Sequence, residues 1–270
     1  MNLISKKPDF DVKLGLKHYL PSLIDLIQGE FAWSSLNKLW NKQHIENLKK
    51  FEGEGSLTLR VTLLSLTALA DKIKDENSIR FLNFMDSVFK NLAIHLDFEE
   101  RKIIKSNLFD LLIYYNDFLN YLGEFFVLNC LLTTGAYKLI KSECNLKKGK
   151  VSIDFNLLHL KSNKNVYIEV INIEITEKHL TDNLTLEKHL RGKLESKLIA
   201  KDKSGLDYTL IPVLWTVSTE NNENLFKTIS FFEETKFSID RVHVPYVYHR
   251  FNYNDEPIER FSSILECYKM

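Results

Sequence analysis

Three acidic residues stand alone inside stretches otherwise suited to burial. Glu124 is the one charged residue between Asp117 and Lys138, in a run of Phe, Leu, Tyr and Val. Asp154 interrupts Lys150-Val-Ser-Ile-Asp-Phe-Asn-Leu-Leu-His-Leu160, and Glu169 interrupts Val166-Tyr-Ile-Glu-Val-Ile-Asn-Ile-Glu-Ile175. A carboxylate taken out of water costs several kcal/mol unless a cation lies beside it. Three such groups in apolar elements point to a divalent metal. A hard cation such as Mg²⁺ or Mn²⁺, held by a few carboxylate oxygens with water positions left open, suits phosphodiester hydrolysis. The cation acidifies water and neutralises charge that builds on phosphate.

Composition narrows the alternatives. Hydrophobic residues make up 44% and charged residues 27% of 270, the balance of a globular protein with a full core. Lys and Arg together number 36, as do Asp and Glu, so any nucleic-acid surface must be a local patch. Cys130, Cys144 and Cys267 are widely separated and lack metal-ligand spacing, which reads as free thiols in a reducing compartment. The opening residues lack a signal-peptide core, and no uncharged apolar run reaches the ~20 residues that span a bilayer. The expected location is cytoplasmic, with no membrane partner.

The elements that must position the acids follow from periodicity. With 9 Gly and 5 Pro, elements should be long, and residues 19–134 read almost wholly as helix. A helix is expected over Ser56–Ala70, another capped by Asn77, and a third opened by the pair Asp97 and Glu100. At Gly135 the texture changes to β-branched and aromatic runs: 136–140, 151–160 and 166–175, the last two joined by the polar turn Lys161-Ser-Asn-Lys164. A helix over 182–203 follows, then a strand over 208–217 in which Pro212 suggests an edge or a bulge. A helix near 222–234 and a strand near 241–248 complete the chain. The fold class is α+β: a helical region over 1–117, then a sheet domain over 118–270.

The order from Tyr121, helix, three strands, helix, strand, with acids on the first helix and the second and third strands, resembles the PD-(D/E)XK nuclease superfamily. The resemblance covers about 118–220 and implies the restriction-endonuclease-like αβββαβ core. It matches Asp154 to the family Asp, Glu169 to the Glu of Glu-x-Lys, and Glu124 to the acid often found on the first helix. It also implies the backbone carbonyl of Val170 as a metal ligand, Mg²⁺ or Mn²⁺ as cofactor, and DNA as the favoured substrate. Restriction or phage defence is what the superfamily commonly serves.

Two departures from the pattern are plain: Ile171 stands where Lys is expected, and Ile153 precedes Asp154 in place of Pro. A replacement cation is sought on the 182–203 helix. Leu186, Leu190, Leu194 and Leu198 form one ridge, and His189, Lys193, Lys197 and Lys201 run beside it about 100° around the helix. A Lys stem can lie along apolar surface while its ammonium reaches outward. Lys193, and after it Lys197, are the expected catalytic cations. Lys147, Lys148, Lys150, Arg191 and Lys201 are the expected contacts to a phosphate backbone. Ile171 keeps open a catalytically inactive nuclease-fold binding module. The helical region keeps open a protein-interaction subunit of a larger complex.

Overall fold

Helix starts in the first 122 residues are set by side chains that replace missing backbone partners. The computed structural model of the chain describes residues 10–27, 29, 31–54, 61–145, 152–202, 205–216, 222–253 and 256–267. The helices are α1 (Val12–Tyr19), α2 (Pro21–Leu26), α3 (Trp33–Glu54), α4 (Leu63–Ile73), α5 (Glu76–His95), α6 (Phe98–Ile103), α7 (Lys105–Ile113) and α8 (Phe118–Thr133). Asp97 and Glu100 form the expected reciprocal cap, each carboxylate taking the other's N–H at 2.9 and 2.7 Å. Two other starts differ from expectation. α5 is capped by Asp75, which accepts from Ser78 N–H at 2.7 Å, and Asn77 lies inside the first turn, where it accepts from Arg80 instead. α4 begins at Leu63, because Thr62 and Ser65 cap one another there.

The chain divides into two compact units, Met1–Leu122 and Gly123–Met270, with the division inside α8, a few residues beyond the change read from the sequence. In the first unit α2 and α4 pack on α5, burying Leu23, Leu26, Leu64, Leu82, Met85 and Phe89. Asp86 of α5 ties α2 in place by accepting from Ser22 N–H at 2.8 Å and from its hydroxyl at 3.0 Å.

The second unit is a mixed sheet covered by helices. Its strands are β1 (Tyr137–Asn145), β2 (Ser152–His159), β3 (Lys164–Ile175), β4 (Tyr208–Thr216), β5 (Tyr246–Tyr253) and β6 (Glu256–Ser263), side by side in chain order. β1, β2 and β3 are antiparallel, β3, β4 and β5 parallel, and β6 returns antiparallel to β5. A 3₁₀ turn (Glu177–His179) and α9 (Asn183–Asp202) join β3 to β4, and α10 (Glu223–Thr235) precedes β5. The helix, three-strand, helix, strand order is therefore present. The closing β5–β6 hairpin is additional; only one late strand was expected.

Of the edge or bulge expected at Pro212, the edge is corrected, for β4 is central, and the register against the β5 side shifts by one residue there. Leu210 directs its N–H and C=O toward the β5 side, to Arg241 and His243. Pro212, two residues on, is turned the same way. Its missing N–H falls between the Leu210↔Val242 bridge and the start of the ladder at Val213↔Tyr246, where no strand bond is required.

The two faces of β3 meet different helices. Ile173 and Ile175 pack with Leu186, Leu190, Leu194 and Leu198 of α9. The opposite face carries Asn172, whose Oδ1 accepts from the Trp215 indole at 2.7 Å. A Cβ at Gly123 of α8 would overlap the Asn172 amide, so this glycine permits the close approach. Gly→Ala inside a helix ordinarily stabilises by about 0.5–1 kcal/mol. Gly123→Ala is expected to destabilise the protein by about 2 kcal/mol instead, read as a lowered urea midpoint. An unchanged or raised midpoint would show that Asn172 yields without cost.

Candidate active site

β2 and β3 separate where the two isolated acids lie. Their ladder runs from His159↔Lys164 to Phe155↔Ile168, and the next pair in that register would be Asp154 with Glu169. There the ladder stops. β2 continues against β1 to Ser152, while β3 continues against β4 to Ile175, leaving a fork. Asp154 bridges it with its side chain, Oδ2 accepting from the Val170 N–H at 2.7 Å. An extended residue turns its N–H and C=O to the same side, so the Val170 carbonyl also faces the fork.

Glu169 is wholly buried. Two ammonium groups from α9 compensate it: Lys197 and Lys201 each lie 2.7 Å from Oε1. Lys201 also donates to the carbonyl of Ser152, on the other arm of the fork. Both Glu169 oxygens are buried without a well-aligned hydrogen bond among the described residues, and the two ammonium groups lie against Oε1 as ion pairs. Burial, then the neighbouring Glu169 charge, push the Asp154 carboxyl up to about 7, against the opposing pull of the Val170 N–H and the two lysines.

The α9 ridge therefore does not act along its whole length. Lys193 is exposed and reaches neither acid, whereas the side-chain exposure of Lys197 is 31% and that of Lys201 14%. Each four-residue step advances 400°, a drift of about 40°, which rolls the row toward the sheet as it proceeds. Leu198 is correspondingly more exposed than the three leucines before it. The reading that put Lys193 first is corrected in favour of Lys197, and Lys201 joins the acids instead of lining the surface.

The other expected residues are distributed more widely. Glu124 is half-buried on α8, the helix whose Gly123 meets the Asn172 face of β3, and residues 169 and 172 point to opposite faces. α8 thus approaches β3 from the Asn172 face, and the Glu169–lysine cluster lies on the other face. Arg191 pairs with Glu187 at 2.8 Å and lies over Phe237. Lys147, Lys148 and Lys150 lie outside the described residues. Among the described residues no three His, Cys, Asp or Glu side chains gather as a metal cluster. Ile171 is partly buried and packs on the α9 core, occupying with apolar contact the position where the motif expects Lys.

One feature escaped the sequence reading. The rings of His179 and His189 stack at 3.7 Å, His189 bonded to the Glu174 carbonyl and His179 to Thr176. Burial first, then the facing His189 and nearby lysines, hold His179 below its usual value. Only the place of His189 in the Lys ridge hinted at its inward lean.

Comparison with known proteins yields no match to a protein-family model, a curated protein or a solved structure.

A raised acid pKa makes the folded state the better proton binder between about 4 and 7, so its stabilising contribution is full below about 4 and lost as pH rises through 7. Asp154→Asn keeps an acceptor for Val170 N–H and removes this loss. In the presence of chelator, the variant is expected to gain on the order of 2 kcal/mol over wild type between pH 4.5 and 8, measured by urea unfolding. A difference that does not change with pH would show that Asp154 remains ionised throughout.

Proposed function

We propose that the chain is a metal-dependent nuclease of the PD-(D/E)XK type that hydrolyses phosphodiester bonds, with DNA the favoured substrate and Mg²⁺ or Mn²⁺ the cofactor. The observation that carries this reading is the fork. Asp154 bridges it to the Val170 N–H, and beside it the buried Glu169 carboxylate, whose Oε2 has no hydrogen-bond donor among the described residues, carries two ammonium groups on Oε1. The helix, three-strand, helix, strand order is further support, and it brings the restriction-endonuclease-like core into the proposal.

The donor set fits a hard cation. It is all oxygen, the buried Glu169 oxygens have no well-aligned hydrogen bond among the described residues, and both acids lie in a low-dielectric setting where a cation would favour their ionised forms. When bound, such an ion would acidify water and stabilise charge on phosphate. The residues of the chain would do the rest. Asp154 and Glu169 orient the site, Val170 offers its carbonyl, and Lys197 supplies a cation from the helix in place of the Lys missing at Ile171. In this proposal the expected nucleic-acid contacts among Lys147, Lys148, Lys150 and Arg191 serve binding, and restriction or phage defence is a biological setting consistent with such an activity.

A second reading has its own observation. Two lysines against two acids give a cluster that balances its charge with no metal, and Ile171 is apolar. This favours a nuclease-fold binding module without catalysis. The experiment that separates the two is cleavage of plasmid, linear DNA and RNA with Mg²⁺ or Mn²⁺. Wild type is expected to cleave, and Asp154→Asn and Glu169→Gln, both close to isosteric, should each lose activity by roughly two orders of magnitude or more under conditions where circular dichroism shows each variant folded. Persisting Mg²⁺-dependent cleavage in both variants would remove these acids from the chemistry. A wild type inert on every substrate would leave the binding module as the better account.

A further inference from the structure

The two lysines on Glu169 are held very differently. Lys201 has two anchors on separate strands, Glu169 Oε1 on β3 and the Ser152 carbonyl on β2, and it spans the fork where the backbone ladder is missing. Its stretch of helix is pinned as well. The Tyr208 hydroxyl donates to the Leu198 carbonyl at 3.1 Å, and Arg241 bonds Asp202 at 2.7 Å. Lys197 has Glu169 as its one ammonium partner among the described residues and is about twice as exposed.

We infer that Lys201 is a positioning residue that fixes Glu169 across the fork, while Lys197 is an exchangeable ammonium that leaves Glu169 when a divalent cation binds. This rests on the metal-dependent reading above. A divalent ion entering beside Oε2 meets two unit positive charges on the neighbouring oxygen. At such separations, with little water between, like charges repel strongly. The repulsion falls by moving one ammonium. Lys197 has a single bond to lose and open solvent to enter, whereas moving Lys201 would also orphan the Ser152 carbonyl. Once released, the Lys197 ammonium stands at the border of the site, free to face a phosphate oxygen. The same competition accounts for two lysines where one would neutralise Glu169: one holds the carboxylate in place, and the other keeps its charge balanced until the ion arrives.

The test is Mn²⁺ affinity of the full chain, read by the electron paramagnetic resonance signal of free Mn²⁺, for wild type, Lys197→Met, Lys201→Met and Lys201→Arg. Lys197→Met is expected to bind Mn²⁺ about tenfold more tightly and yet to lose turnover at saturating Mn²⁺. Lys201→Met should bind about tenfold more weakly, with Lys201→Arg restoring affinity because a guanidinium can again bridge both strands. Should Lys201→Met fail to fold, wild-type affinity in Lys201→Arg together with tighter binding in Lys197→Met upholds the division. Affinity shifts of the same sign in Lys197→Met and Lys201→Met overturn it while leaving the metal site standing. Absence of Mn²⁺ binding in wild type and in Lys197→Met overturns the metal-dependent reading and this division together.

Discussion

Glu169 has no access to water, and the second unit is organised around that fact. A buried carboxylate is tolerated only when opposite charge reaches it with good geometry. Here that charge comes from a helix, not from the strand that carries the acid. The ion pairs between Glu169 and Lys197 and Lys201 thereby specify more than local neutrality. They fix the rotation of α9 over the sheet and tie β2 to β3 where their backbone bonding has ended.

The fork is the structural counterpart of this arrangement. A continuous β2–β3 ladder would consume the Val170 N–H and C=O in strand pairing. By ending at Phe155↔Ile168, the ladder frees backbone groups that side chains then take up, Asp154 on one arm and Lys201 on the other. Side-chain bonds are exchanged for a ligand at far smaller cost than a strand ladder, so a ligand at the fork would leave the rest of the sheet intact. The raised Asp154 pKa follows from the same arrangement: burial first, and then the neighbouring Glu169 charge, oppose its ionisation.

The two faces of the sheet are packed differently. On the α8 side, Gly123, Asn172 and Trp215 form a close-packed polar link among aromatic rings, with Phe126 near Trp215, Tyr248 and Phe261. On the α9 side, the leucine ridge secures the helix and the lysines beside it serve the acids. A charge-balanced cluster of this kind supports either a hydrolytic centre that admits a cation or a static polar core in a binding module. The unpartnered Glu169 oxygen is what favours the first.

Much of this was legible in the sequence. Alternation around Glu169 gave the strand and its buried face, four-residue leucines gave the α9 core, and Asp97 with Glu100 gave a helix start. These are local rules, with periods of two and of 3.6 residues and short capping contacts. The conjunction of Asp154 with Glu169 was also readable, because a tight turn fixes the register of a hairpin. What failed was whatever depended on distance in space. Asn77 looked like a cap until Asp75 was seen to start the helix. Pro212 left an edge and a bulge open, and only the break in pairing on the β5 side of β4 chose between them. Lys193 and Lys201 are equivalent members of one ridge in sequence, yet the drift of that ridge leaves the first in solvent and carries the second onto Glu169. Sequence determined which residues would be costly to bury; only the packing of α9 and the parting of two strands decided which charges would meet them, because those choices rest on rotations and gaps that no local period encodes.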